Sequence, residues 1–96
     1  MRITKNTLQR KIDYLNHVSG QPPEAWSRDS EGKLKANIGC YHRSGAYGGH
    51  SLQQMVNDGG GVRSVFNVGH ISARELAGLI DAYILGILDA KGTAND

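Results

Sequence analysis

The sequence predicts an α+β fold: an antiparallel sheet of about four strands, with an N-terminal and a C-terminal helix packed on one face. Three observations predict it. Apolar residues recur at helical spacing near the two ends, at Leu8, Ile12, Leu15 and Val18 and again between Leu76 and Leu88. Between them the pattern changes to the period of two that strands require. At 96 residues the chain has room for one hydrophobic core, so helices and strands must share it.

Each element has its own signal. Thr4 suits an N-cap, with Ile3 and Leu8 placed as the apolar pair that staples the start of a helix. Gly20 and then Pro22-Pro23 stop that helix, and Lys5, Arg10, Lys11 and Asp13 form its solvated face. From Glu24 to Tyr41, Leu34, Ala36, Ile38 and Cys40 alternate with Lys35, Asn37, Gly39 and Tyr41. Asp29-Ser30-Glu31-Gly32 is a turn signal within this stretch, so residues 24–41 read as a hairpin. Tyr41 to His50 reads as a glycine-containing loop. Strands follow at residues 51–56 and 62–68, joined by Asn57-Asp58-Gly59-Gly60-Gly61, with Val62, Phe66 and Val68 on one face. Ser72-Ala73-Arg74-Glu75 matches a capping box. Behind it, Leu76, Leu79, Ile80, Tyr83, Ile84, Ile87 and Leu88 make a broad apolar stripe. Residues 1–91 read as one domain, and the small, polar residues 92–96 as a flexible tail.

Composition narrows the function. A net charge of +2 excludes a polybasic nucleic-acid arm, so no DNA partner is expected. No apolar run approaches the roughly 18 residues of a membrane span, and Met1-Arg2-Ile3 leads into a polar helix, so a cytoplasmic protein is expected. Cys40 is the single cysteine and forms no internal disulfide. A small core without such a staple favours self-association.

Charge is concentrated in the middle. Between Lys33 and Arg74 stand five cations, Lys33, Lys35, Arg43, Arg63 and Arg74, and one acid, Asp58. Eight glycines and three histidines, His42, His50 and His70, share that segment. Loops with exposed N–H groups beside cations suit an anion, and a helix beginning at Ser72 adds its positive end. Any one of these glycines also serves as an ordinary turn residue. Tyr47 stands between glycines, free to stack on a base or to close the end of the sheet.

Chemistry beyond binding finds little support. Cys40, His42, His50 and His70 lack the paired spacing of a zinc site. Cys40 alternates with Ile38 and Ala36 and so reads as buried and inert. Asp58 has no second carboxylate in the basic segment. The chain is therefore expected not to be an enzyme and to need no cofactor or metal.

Four stretches taken together resemble the first class of phage anti-Thoeris proteins. They are Ala36-Asn37-Ile38-Gly39, Gly45-Ala46-Tyr47-Gly48-Gly49, Val56-Asn57-Asp58-Gly59-Gly60-Gly61-Val62, and Gly69-His70 with Ala73-Arg74-Glu75-Leu76. The resemblance implies a sponge that sequesters cyclic ADP-ribose isomers, the 1''-2' and 1''-3' glyco-cyclic signals of bacterial TIR enzymes, without degrading them. It implies work in the cytoplasm of the infected bacterial host. In that family an aromatic side chain and an arginine sandwich the base, which carries over to Tyr47 and Arg74, and Asn57 would hold polar groups. Those three are what the resemblance carries over; read from the residues themselves, Gly59, Gly60, Gly61 and Arg63 are anion donors and, with His70, complete the expected ligand-binding set. Family members are homo-oligomers, dimers or hexamers built of dimers, with sites between chains, and some also bind cyclic trinucleotides. The alternative from a different class is a small phage inhibitor whose basic loops contact a host protein directly.

Overall fold

The structure, a computed structural model, describes residues 3–94. Helix α1, Lys5–Ser19, starts where Thr4 is extended and its Oγ1 accepts from the Thr7 N–H at 3.1 Å. It ends at Gly20, whose φ of 72° is the left-handed cap, with the Gln21 N–H returning to the Asn16 carbonyl at 2.9 Å. β1, Trp26–Arg28, and β2, Leu34–Ala36, pair as the expected hairpin. Its turn is held by Asp29, whose Oδ1 accepts from the Glu31 and Lys33 N–H groups, both at 2.9 Å.

The strands do not form one four-stranded sheet. β1 and β2 make a two-stranded sheet of their own. β3, Tyr41–Ala46, β4, Gly49–Met55, and β5, Val62–Ser64, make an antiparallel sheet in the order β3-β4-β5. The division falls at Gly39. Its φ of 96° turns the chain, the Cys40 N–H closes on the Asn37 carbonyl at 3.2 Å, and a Cβ there would strike Gln21.

Past that turn the segment read as a loop is instead β3. Its first residue is fixed by α1: the buried Asn16 carboxamide accepts from the Tyr41 N–H at 2.8 Å and donates to its carbonyl at 3.0 Å. This long-range contact leaves no trace in local sequence. β5 stops short of the strand expected over 62–68, because Ser64 Oγ accepts from the Asn67 N–H and Asn67, at φ 55°, turns the chain away.

Both helices pack on one face of the three-stranded sheet. Leu8, Ile12, Leu15 and Val18 of α1 meet Leu76, Ala77, Ile80 and Ile84 of α2, Ala73–Ala94, over Tyr41 and Leu52. The α2 stripe is narrower than its sequence pattern, since Leu88 is 39% exposed. A smaller cluster of Ala36, Cys40 and Met55 lies under the β1–β2 hairpin. The capping box forms as expected, with Ser72 Oγ accepting from the Glu75 N–H at 3.1 Å and donating to Glu75 Oε1 at 2.9 Å. α2 continues through Gly92 to Ala94, so the expected tail is helical over its first three residues, and residues 95 and 96 lie outside the described part.

The two helices run in the same direction. Lys11 pairs with Asp81 at 2.8 Å, and further along each helix Lys91 Nζ donates to the Val18 carbonyl. Lys5 opens α1 beside the β3–β4 turn. α2 begins just after Ile71, which exchanges backbone bonds of 2.7 and 2.8 Å with His50. Both helix N-termini, the positive ends of their dipoles, therefore lie at the β3–β4 hairpin end.

Candidate functional site

The β3–β4 hairpin closes after the Ala46–Gly49 pair, leaving Tyr47 and Gly48 as a two-residue turn with φ of 55° and 74°. Positive φ at both positions is the type I′ arrangement, which Asn-Gly, Asp-Gly or Gly-Gly adopts readily. A tyrosine in the left-handed region costs about 1–2 kcal/mol. Among the described residues no packing offsets that cost, because Tyr47 is 102% exposed, with an edge-on contact to His70 at 6.4 Å between ring centroids. Of the two readings of Tyr47, closure of the sheet end is the one this geometry disfavours.

Beside the turn, a groove of about 410 Å³ is lined by Lys5, Arg43, Gly45, Ala46, Gly48, Gly49 and His50. Arg43 and Gly45 stand opposite Leu52 and His50, on the same face as Tyr41. The missing Gly45 side chain lets Arg43 lie along the strand, since a Cβ there would come within 2.7 Å of Arg43 Nη1. Arg43 Nη1 donates to His50 Nδ1 at 3.2 Å. Arginine has no acceptor, so Nδ1 must be unprotonated and Nε2 carries the ring proton. Burial first, then Arg43, Lys5 and His70, pushes the His50 pKa below its ordinary value. Neither Lys5 nor Arg43 has an ion-pair partner among the described residues. The first turn of α1 carries no acid.

The asparagine and glycine loop is different. Asn57 Oδ1 accepts from the Gly59 N–H at 3.0 Å and the Gly61 N–H at 2.8 Å, so its acceptor is used by its own loop. Gly60, at φ 98°, lies under the Trp26 indole, 2.8 Å from where a Cβ would sit. Arg63 Nε donates to Gln54 Oε1 at 2.8 Å. The seven residues of β4 separate this loop from Tyr47 by roughly 20 Å, at about 3.3 Å per residue.

One chain thus brings together Tyr47, His70 and the start of α2 that carries the exposed Arg74. It leaves Asn57, Gly59, Gly60, Gly61 and Arg63 at the opposite end. From sequence, Arg43 and His50 belong only to the basic, glycine-rich segment as a whole and Lys5 to a solvated helix face; none of the three is assigned to the site. The spacing of Arg43, Gly45 and Tyr47 was the available signal, but it becomes legible only once 41–46 is known to be a strand.

Other chemistry is sparse here. Cys40 is buried, and burial pushes its thiol pKa up, away from the nucleophilic thiolate. Burial also lowers the His42 pKa, and His42 Nε2 is enclosed without a partner. Among the described residues no group of three or more His, Cys, Asp or Glu side chains is placed to hold a metal ion, and no helix is long and apolar enough to cross a membrane. Comparison with known proteins finds no family model, no curated protein and no solved structure that matches this chain.

Proposed function

We propose that this protein is a phage anti-defence sponge, which binds cyclic ADP-ribose signals of TIR enzymes at the β3–β4 hairpin end and holds them without chemical change. The observation that carries the reading is Tyr47, held at positive φ at a hairpin tip, wholly exposed, beside a cationic groove and two helix N-termini. Strain kept at an exposed aromatic residue points to use by a ligand. A cyclic ADP-ribose carries a base to stack, hydroxyls to bond and two phosphates to neutralise. Tyr47 supplies the stacking surface, Arg74 the opposing cation, and His70 supports the tyrosine from its edge. The anion is met by the basic end of the sheet.

Sequestration calls for nanomolar binding, about −12 kcal/mol, and an open groove on one small domain encloses too little of the ligand for that. The site is therefore shared in a homo-oligomer, where the Asn57–Gly61 loop and Arg63 of a second copy close over the ligand. This accommodates the 20 Å separation within one chain.

The test is to incubate the protein with cyclic ADP-ribose isomers, remove free ligand, denature the protein and identify what is released. Unchanged ligand, released only on denaturation, supports the sponge. A chemically altered product would replace the reading with an enzyme. Free, unaltered ligand throughout would favour the inhibitor that works by protein contact.

A further inference from the structure

The geometry points to a diphosphate subsite formed by Lys5, Arg43, His50 and the Gly48 backbone N–H, distinct from Arg63 and from the Asn57–Gly61 loop. It rests on the nucleotide reading above for its place in the function, while its chemistry stands on the groove itself. Lys5 at the start of α1 and Arg43 on β3 line one groove of about 410 Å³. Neither has an acidic partner among the described residues. Two cations left uncompensated on the same cavity wall repel each other, and a bound anion relieves that repulsion.

The arrangement favours a phosphate over a carboxylate. Arg43 is oriented before any ligand arrives, because Gly45 leaves it room and His50 Nδ1 takes one of its N–H groups. Its remaining donors offer the fork that matches phosphate oxygens. Neutral His50 keeps an Nε2–H, so it too contributes a donor rather than a competing acceptor. Lys5 adds a point charge from α1, whose first turn has no acid to oppose it. A diphosphate spans two such donor groups, and Tyr47 at the adjoining turn is placed for an attached base. Arg63 is a weaker candidate, since its Nε is engaged by Gln54.

Titration with inorganic pyrophosphate, followed through the Gly48 amide and the Arg43 side-chain Nε–H by NMR, tests the subsite directly. Saturable shifts are expected at these groups. Arg43→Gln and Lys5→Gln should each weaken binding roughly tenfold, as for loss of one charge-assisted bond. Arg10→Gln should leave it unchanged. Lys5 is exposed, so its variant keeps the test valid if the hairpin variant folds poorly. Shifts centred on Asn57 to Gly61, or equal pyrophosphate binding by Arg43→Gln, Lys5→Gln and the wild type, would overturn the subsite. Wild-type protein that retains cyclic ADP-ribose while the groove variants bind it unchanged would also remove the subsite but keep the sponge. Pyrophosphate bound through Arg43, with no cyclic ADP-ribose retained, would support the subsite and remove the sponge.

Discussion

The two ends of β4 carry similar glycine-rich turns that do opposite work. At the Asn57–Gly61 end the polar groups are consumed locally, with Asn57 bonded to two glycine amides and Gly60 covered by Trp26. At the Tyr47–Gly49 end almost nothing is consumed. The tyrosine is exposed in a costly conformation, and two cations line a groove without acidic partners among the described residues. Glycines mark a turn in both places, but only the second leaves a strained, exposed side chain beside an open cationic groove.

Both ends extend from β4, whose Leu52 is buried in the main helix–sheet core, so loss of that core should be the largest effect and strike them together. Ile80 is fully buried between the helices and sheet, and Ile80→Ala is expected to cost about 2–5 kcal/mol. Denaturant unfolding with a midpoint near wild type would show that the two ends are stabilised separately.

Next in size is a change confined to the hairpin end. Tyr47→Ala should weaken binding of a cyclic ADP-ribose isomer by roughly 5- to 150-fold, the range of one base stacked on an aromatic residue. Calorimetric titration with an unchanged affinity would equalise the two ends. The matching change at the other end is Gly60→Ala, which forces a side chain into a position of positive φ against the indole. It should lower stability by about 1 kcal/mol or more, and leave pyrophosphate binding intact. Pyrophosphate binding lost on Gly60→Ala would move the diphosphate from the hairpin groove to the Asn57–Gly61 end.

The smallest effect is in pH. Burial holds the His42 pKa below 6.5, so the unfolded chain takes up a proton as pH falls through that value while the native chain resists. Stability is then full above about pH 6.5 and declines below it, toward the lower native pKa. His42→Phe, which removes the enclosed nitrogen, should flatten that decline in thermal melts at pH 5 to 7. An unaltered slope would assign the decline to His50, whose pKa is displaced in the same direction.

What the sequence disclosed follows from the range of the interactions. Helix limits were legible at Thr4, Gly20 and the Ser72 capping box, since caps act within four residues. The hairpin at Asp29 was equally local. β3 was hidden because its first residue is satisfied by Asn16, 25 positions away, and because His42, Arg43, Ser44 and Gly45 give it no alternating apolar face. Missing β3 also hid the groove. Arg43, Gly45 and His50 share a face only when the two strands are paired, and Lys5 joins them only when α1 lies across the sheet. The resemblance named Asn57 and Tyr47 as members of one site, and only the length of β4 shows that a single chain holds them apart.

The most direct measurement is a paired one on Tyr47→Asn, which restores the Asn-Gly sequence that type I′ turns favour. If Tyr47 is kept in strain to meet a ligand, the variant should unfold at a higher denaturant concentration, by about 0.5–1 kcal/mol, and should lose most of its affinity for cyclic ADP-ribose isomers. A variant that binds as tightly as wild type, or that is less stable than wild type, would contradict the account.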